Sequence, residues 1–297
     1  MNRFLLLIAA LALCIAAQAQ AATPRAAVIA TYAYAKYDRA AALQPLADQL
    51  AAELGQPVAV RLLESPRALV QALREGTVDV AVTNTFVYLA VRAQPRLQAV
   101  GVFDVPAATL DAYRGVLLAR RDGKAADLVA LRRNAGTLRY AQVIPGSTSG
   151  GLVQDLFLAA QGVDPAGFAA VKHAGTHDAA LASLADASAD LAALAEAPWQ
   201  TLRQRGGAAD LVELWRSPPI PPGPVVCRDD GLLPCARVAA LLQSLGAGSA
   251  ALQGLVKAWS EAAGASRLMP VQAAPYEALT AGFADPAAGR AALEKLL

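Results

Sequence analysis

The chain has 297 residues, of which 56% are hydrophobic and 17% are charged, and its formal net charge at pH 7 is +2. No basic run is longer than the pairs Arg120-Arg121 and Arg132-Arg133, so the charge pattern disfavours binding to nucleic acid. The length is more than one small core needs and suits two lobes.

Residues 1–22 have the pattern of a secretory signal peptide. Arg3 provides the positive start, Phe4 to Ile15 form the apolar core, and small residues follow, with cleavage expected between positions 19 and 22. The apolar run is shorter than the roughly 20 residues that span a bilayer, so we expect export of the chain. Lipid anchoring through Cys14 is disfavoured because Leu13 stands where a small residue would be needed.

Short apolar runs alternate with amphipathic runs along the rest of the chain. The predicted strands are Ala27–Thr31, Val58–Leu63, Val78–Thr83, Leu97–Phe103, Tyr113–Arg120, Leu138–Val143, Ala169–His173, Leu191–Ala195, Leu211–Trp215 and Val225–Arg228. The predicted helices are Leu43–Leu54, Pro66–Arg74, Phe86–Arg92, Leu128–Arg133, Leu152–Gln161, Asp178–Ala185 and Trp199–Arg205, with a helical tail from Cys235. This alternation predicts an α/β fold whose sheets are mostly parallel and flanked by helices.

Two polar residues follow predicted strands in a weak internal repeat. Asn84 comes directly after one strand and Glu196 after another, and the segments that precede them have matching spacing. The carboxyl ends of strands are where open α/β sheets bind ligands, so we expect both side chains at a binding edge. The alternatives are chance similarity in an alanine-rich chain and, for Glu196, a solvated acid at a helix start.

The segment 145–151 is the strongest chemical signal in the chain. It carries Ser147, Thr148 and Ser149 among glycines, between a predicted strand and a predicted helix. Backbone N–H groups at a helix start, small residues and three hydroxyls together favour the binding of a phosphate-like anion. The alternative is a plain helix cap. A hydrolase elbow is disfavoured because it requires serine at the position of Thr148.

Cys227 and Cys235 enclose a short loop, and in an exported chain they predict a structural disulfide. A metal site is not expected, because His173 and His177 are far from these cysteines in sequence and no ligand-spaced cluster exists. The proline-rich segment 217–224 is unsuited to a central strand. Together with Tyr113–Arg120 it is expected to form a two-stranded hinge between the lobes.

Several ordered elements resemble one known family, the substrate-binding proteins of phosphate, phosphite and phosphonate ABC transporters. They cover nearly the whole chain after the signal: Leu46-Ala47-Asp48-Gln49-Leu50, Gly76-Thr77-Val78-Asp79-Val80-Ala81, Tyr113-Arg114-Gly115-Val116-Leu117-Leu118, Ser147-Thr148-Ser149-Gly150, Gly175-Thr176-His177-Asp178 and Ser217-Pro218-Pro219-Ile220-Pro221. The resemblance implies a two-lobed type II periplasmic-binding-protein fold. We expect lobe 1 to comprise residues 23–119 and 225–297, and lobe 2 to comprise residues 120–224.

The resemblance also implies a set of ligand-binding residues. Ser147, Thr148, Ser149 and Gly150 would grip the anion, and His177 would donate from a second helix start, although Thr176 stands where the family has serine.

From the first lobe, the resemblance implies Asn84 and Thr85 as donors and Tyr34, beside Tyr32 and Tyr37, as a wall of the pocket; the tyrosines could instead be packing residues. Glu196 would accept a hydrogen bond from a protonated anion and repel a fully ionised one.

We therefore expect a periplasmic, monomeric binding protein, without cofactor or catalysis, that delivers a small oxyanion to an ABC permease. A sensing module that signals to a membrane kinase would share the fold and the cleft. A hydrolase that uses Ser147 or Ser149 with His177 lacks an evident third group to orient the histidine.

Overall fold

Two separate β-sheets organise the chain, and each forms the centre of one lobe. The computed structural model describes residues 25–297, so the expected signal peptide lies outside the described residues. Among residues 25–297, no helix has the length and apolar character that crossing a membrane requires. The same residues contain no cluster of side chains suited to hold a metal ion.

The first lobe is built on a six-stranded sheet in the order β11-β4-β10-β3-β1-β2. Its strands are β1 (Ala27–Tyr32), β2 (Val58–Leu63), β3 (Val80–Val82), β4 (Leu97–Phe103), β10 (Val225–Arg228) and β11 (Leu268–Met269). Its helices are α1 (Arg39–Leu54), α2 (Pro66–Arg74), α3 (Thr85–Val91), α4 (Ala107–Ala112), α9 (Cys235–Ser244) and α10 (Ala250–Ala258). Leucines on one side of α1 lie fully buried against this sheet, as the helical period predicts.

The second lobe is built on a five-stranded sheet in the order β7-β6-β8-β5-β9. Its strands are β5 (Gly115–Arg120), β6 (Arg139–Gln142), β7 (Ala170–His173), β8 (Leu191–Ala195) and β9 (Leu211–Arg216). Its helices are α5 (Leu128–Asn134), α6 (Val153–Ala160), α7 (His177–Ala185) and α8 (Glu196–Gln204). The central strand β8 is buried along its whole length, which explains its uninterrupted apolar sequence.

The two-lobed α/β architecture with mostly parallel sheets is as predicted, since β1–β4 run in one direction in the first sheet and β6–β9 run in one direction in the second. Strands β1 and β2, β1 and β3, β6 and β7, and β6 and β8 pair in parallel. Strands β5 and β10 instead pair antiparallel with both of their neighbours. Both strands directly follow a crossing between lobes, which delivers the chain to the carboxyl edge of the sheet. The next strand therefore runs away from that edge and opposes its neighbours.

The first predicted lobe boundary also shifts. Residues 115–119 were expected in lobe 1, yet they form most of β5, which lies between β8 and β9 in the second sheet. The hinge contact is shorter than predicted: Ile220 N–H donates to the Tyr113 carbonyl at 2.9 Å, and Ser217 N–H donates to the Gly115 carbonyl at 2.8 Å. The two crossing segments are therefore joined side by side at residues 113–115 and 217–220.

The C-terminal segment contacts both lobes, although it was expected to belong to lobe 1 alone. Its helices are α11 (Ala274–Glu277) and α12 (Pro286–Leu296). Tyr276 packs edge-on against Tyr88 of the first lobe and donates a hydrogen bond to the Pro222 carbonyl at 2.8 Å. Helix α12 lies against α6 of the second lobe, and Lys295 pairs with Asp164 at 2.8 Å. The segment thus braces the junction behind the hinge.

The predicted disulfide between Cys227 and Cys235 is present, with the two Cα atoms 5.7 Å apart. It ties the end of β10 to the start of α9, and both sulfur-bearing residues lie in the core of the first lobe.

Replacing both cysteines by alanine is expected to lower the free energy of unfolding by about 2–3 kcal/mol, because the cross-link closes a short loop in the unfolded chain. Urea denaturation followed by circular dichroism measures this difference. The wild-type protein in excess reductant is the matched control and should lose a similar amount of stability. An unchanged midpoint in both samples would contradict the prediction.

Candidate functional site

A cavity of about 120 Å³ lies between the lobes, at the carboxyl ends of β1, β3, β6 and β8. We call it the interlobe cavity. The first lobe and the crossing segment line it with Tyr32, Tyr34, Lys36, Tyr37, Arg39, Asn84, Tyr113, Ser260 and Glu261. The second lobe lines it with Val143, Ile144, Ser147, Thr148, Ser149, His177, Asp178, Ala195, Ala197 and Pro198. Six of the nine predicted ligand-binding residues are therefore brought together: Ser147, Thr148, Ser149, His177, Asn84 and Tyr34.

The three hydroxyl residues begin a π-helical turn, Thr148–Leu152, that continues into α6. Each hydroxyl oxygen contacts a donor of the protein. Ser147 Oγ accepts from Gly150 N–H at 3.2 Å, and Thr148 Oγ1 accepts from Phe86 N–H of the first lobe at 2.9 Å. Ser149 Oγ accepts from the Tyr113 hydroxyl at 3.2 Å. Because each oxygen already accepts a hydrogen bond, each O–H hydrogen is left to donate.

The start of this turn also presents backbone donors. Among residues 25–297, no acceptor lies within hydrogen-bonding distance of the backbone N–H groups of Thr148 and Ser149. These are the first N–H groups of the turn, and a helix start leaves such groups for an outside acceptor. The hydroxyl and backbone donors of the predicted anion cradle therefore lie at the interlobe cavity.

His177 adds a neutral donor. Its Nδ1 accepts from the Ala195 N–H at 2.9 Å, which fixes the proton of the neutral ring on Nε2. Burial lowers the pKa of His177 from 6.5 to about 4, with the nearby Asp178 carboxylate opposing the shift and the Lys36 ammonium adding to it. At neutral pH the ring is therefore an uncharged N–H donor. Tyr34 from the first lobe lies beside it, with the ring centroids 6.2 Å apart.

Three predicted ligand-binding residues have other roles. Glu196 does not line the cavity: its carboxylate pairs with Arg216 at 2.8 Å and accepts from Gln200. A strand end fixes the backbone position and leaves the side-chain direction open, so the sequence could not indicate this pairing.

Thr85 and Gly150 are structural. The Thr85 hydroxyl donates to the Pro221 carbonyl at 2.5 Å and so attaches α3 to the crossing segment. Gly150 is outside the cavity lining, and its N–H group donates to Ser147. A Cβ at Gly150 would lie 2.3 Å from the Val143 side chain, so glycine lets the turn pack against the end of β6.

Arg39, which the sequence did not indicate, is only 4% exposed and lines the first-lobe side of the cavity. Its guanidinium lies over the rings of Tyr32 and Trp259, with distances to the ring centroids of 4.3 and 4.6 Å. Its Nε donates to the Ala258 carbonyl at the end of α10 at 3.2 Å. Its Nη1 has no hydrogen-bond partner among the described residues.

The position of Arg39 depends on how closely α10 packs against α1. A Cβ at Gly254 of α10 would lie 2.4 Å from the Ala42 carbonyl of α1, so only glycine permits this approach. The close crossing brings the carbonyl end of α10 to the guanidinium, where a cation is favoured by the helix dipole. Arg39 and Ala258 are 219 residues apart in sequence, and no local pattern indicates their contact.

Two further contacts join the lobes around the cavity. Asn84 caps α3 through its Oδ1, and its Nδ2 donates to the Gly146 carbonyl at 3.0 Å. Lys36 faces Asp178 at 3.9 Å, and both side chains are largely exposed. The exposed pair contributes little stability, on the order of 0–1 kcal/mol. The buried contacts at Asn84 and Thr148 are better placed to hold the two lobes in register.

Comparison with known proteins identifies the family to which the chain belongs. The family model described as "ABC transporter, phosphonate, periplasmic substrate-binding protein" matches residues 28–268. No curated protein sequence matches the chain.

Solved structures are similar in fold at low sequence identity. A binding protein of an ABC phosphonate transporter from Pseudomonas aeruginosa is 20% identical, with a TM-score of 0.62, covering 92% of this chain and 95% of that one. PhnD1 from Prochlorococcus marinus, solved with methylphosphonate, is 17% identical with a TM-score of 0.61, covering 90% and 98%. XAC2383 from Xanthomonas citri, solved with chloride ion, is 17% identical with a TM-score of 0.69, covering 91% and 99%.

Asp155 lies in the first turn of α6, and its burial generates a pH-dependent prediction. Burial raises its pKa from 3.8 to about 7, although hydrogen bonds from Gln142 and the Tyr140 hydroxyl favour the charged form. The folded protein therefore holds this proton more tightly than the unfolded chain does. The resulting stability is fully present below about pH 4 and is lost as the pH rises to about 7.

Replacing Asp155 by asparagine removes the cost of the buried charge at high pH. We expect the stability of Asp155→Asn, relative to the wild type, to be higher at pH 8 than at pH 5, as measured by urea denaturation at both values. The exposed substitution Asp122→Asn is the control and should show no comparable dependence on pH. A difference between Asp155→Asn and wild type that is the same at both values would contradict the assigned protonation.

Proposed function

Since the chain belongs to the family of periplasmic substrate-binding proteins of ABC phosphonate transporters, we propose that it captures a small phosphorus oxyanion in the interlobe cavity and delivers it to an ABC permease. The proposed ligands are phosphate, phosphite and a small phosphonate. The family accounts for transport and for a small-molecule ligand. The choice among these anions depends on the chemistry of the cavity.

One observation carries the proposal: four side chains of the second-lobe wall, those of Ser147, Thr148, Ser149 and His177, are left to act as donors. The hydroxyl oxygens of Ser147, Thr148 and Ser149 and the Nδ1 atom of His177 all accept hydrogen bonds from the protein. Their remaining O–H and N–H hydrogens face a ligand that must supply the acceptors. An oxyanion of phosphorus presents such acceptors on every side.

The neutrality of the donors suits a ligand that has to be released. A buried cation opposite the anion would add a strong pairing energy in a medium of low dielectric constant. Hydroxyl, imidazole and backbone N–H donors instead provide many moderate hydrogen bonds. Arg39 supplies a buried positive charge from the opposite wall.

Two lobe-spanning contacts support a mechanism of capture by closure. Thr148 accepts from Phe86 N–H across the cleft, and Asn84 donates to the Gly146 carbonyl. Both residues also line the cavity, so the groups that surround the ligand are the groups that join the lobes. A ligand that satisfies Thr148 and its neighbours therefore favours the joined arrangement, which is the one that a permease would recognise.

The two alternative functions, a hydrolase and a sensing module, would use this cavity differently. A hydrolase would require His177 to accept a proton from Ser147 or Ser149. Its Nδ1 lone pair is committed to Ala195 N–H, and its Nε2 carries the remaining proton, so the ring lacks a free acceptor for general-base catalysis. A sensing module would use the same cavity and remains the second candidate. Cross-linking to a permease or to a membrane kinase distinguishes the two.

The proposal is tested with the purified protein and a panel of phosphate, phosphite, methylphosphonate and sulfate. At 100 times its dissociation constant, a ligand should add about 2.7 kcal/mol to the free energy of unfolding, which a thermal-shift assay detects readily. Isothermal titration calorimetry then gives the affinity of each anion. Absence of binding by every phosphorus anion would refute the proposal.

Site variants locate the binding. Ser147→Ala and His177→Ala should each weaken binding of the preferred anion by about 10- to 100-fold, the usual effect of removing one buried hydrogen-bond donor. Ser183→Ala is the matched control, because its hydroxyl bonds only to the Ala180 carbonyl within α7 and lies outside the cavity. Equal affinities for the control and the two site variants would place the ligand elsewhere.

A further inference from the structure

The interlobe cavity contains one buried carboxylate, that of Glu261. The residue lies in the 3-10 turn Ser260–Ala262 after α10, is 5% exposed, and lines the first-lobe wall. Among the described residues, the only side-chain hydrogen bond to this carboxylate comes from the Ser260 hydroxyl at 3.4 Å. A buried carboxylate normally accepts several hydrogen bonds, so Glu261 has capacity for another donor.

The surroundings of Glu261 leave the ligand as the source of that donor. Burial raises the pKa of Glu261, and the charge of Arg39 and the backbone N–H of Glu261 itself oppose this rise. No nitrogen of Arg39 forms an ion pair with the carboxylate within 4.0 Å among residues 25–297. Burial raises the pKa of the Tyr113 hydroxyl and the charge of Glu261 raises it further. This hydroxyl donates to Ser149. The nearby protein donors are therefore either engaged or out of direct contact.

The first-lobe wall thus offers two unlike groups to one ligand. Arg39 has an Nη1 without a hydrogen-bond partner among the described residues, and Glu261 has a carboxylate with spare acceptor capacity. A ligand face that fits both carries an acceptor and a donor side by side. A fully ionised oxyanion such as sulfate has the acceptor and lacks the donor, so its oxygen would face the carboxylate.

We infer that Glu261 determines specificity by requiring a hydrogen-bond donor on the bound oxyanion. The inference rests on the proposed function and assigns to Glu261 the selective role that the sequence predicted for Glu196. The donor is a P–OH group of a monoprotonated phosphorus anion or, in an aminophosphonate, the ammonium group. An anion that lacks either group leaves the buried carboxylate facing a like charge, which disfavours its binding.

Pairs of ligands with the same shape test the inference on the wild-type protein. Methylphosphonate at neutral pH has a monoanionic form that carries P–OH, whereas methanesulfonate has the same shape without the donor. The phosphorus member should bind at least about 100-fold more tightly, since an unpaired buried acceptor is rejected strongly. Phosphate and sulfate form a second pair with the same expectation. Equal affinities within both pairs would overturn the inference.

Glu261→Gln tests the residue itself, because glutamine keeps the shape, removes the charge and adds an N–H donor. The preference for methylphosphonate over methanesulfonate should fall by at least about 10-fold, with methanesulfonate binding more tightly than before. Glu196→Gln is the matched control: this acid is equally buried but pairs with Arg216 outside the cavity, so the preference should stay at the wild-type value.

The origin of the donor is resolved by adding 2-aminoethylphosphonate to the calorimetry. If Glu261→Gln weakens this ligand and leaves methylphosphonate unchanged, the donor is the ammonium group. If it weakens methylphosphonate as well, the donor is P–OH. If Glu261→Gln binds all three ligands as the wild type does, Glu261 has no selective role, although the proposed function stands. If the wild type binds none of these anions, the proposed function fails with it.

Discussion

The guanidinium of Arg39 is buried and therefore needs stabilising contacts within the protein. The first-lobe side of the cavity provides them. Two aromatic rings, a helix-terminal carbonyl and the charge of Glu261 surround the guanidinium. Leaving a buried cation without such partners would cost several kcal/mol. The rings of Tyr32 and Trp259, the end of α10 and the turn that carries Glu261 are thus held in one arrangement by a single side chain.

Under the proposed function, the opposite wall contacts the ligand by different means. Its serines, threonine and histidine are uncharged, and they become directional donors because the protein occupies their acceptor sites. This arrangement avoids the desolvation of a second cation and fixes where the hydrogens point. In the proposed complex, the first-lobe wall therefore provides a positive charge and the second-lobe wall provides directional hydrogen-bond donors.

Much of the fold followed from the sequence, because alternation of short apolar and amphipathic runs is a local property. The segment 147–149 and His177 were found for a similar reason, since their chemistry is contiguous or lies directly at a helix start. The direction of the Glu196 side chain did not follow, because a position after a strand says nothing about it, and the carboxylate pairs with Arg216. Arg39 and Glu261 were missed because their neighbourhood is created only when α1, α10 and the following turn pack together. The antiparallel strands were missed because the alternation pattern does not record where the chain crosses between lobes.

The glycine at position 254 links this packing to recognition. It never approaches the cavity, yet it sets the separation of the two helices that place Arg39 and the end of α10. Proteins that share every cavity-lining residue with this chain would still differ in the depth at which they offer the positive charge if they carry a larger residue there. Under the proposed function, the ligand preference therefore depends on a position at a distant helix crossing as well as on the residues that line the cavity.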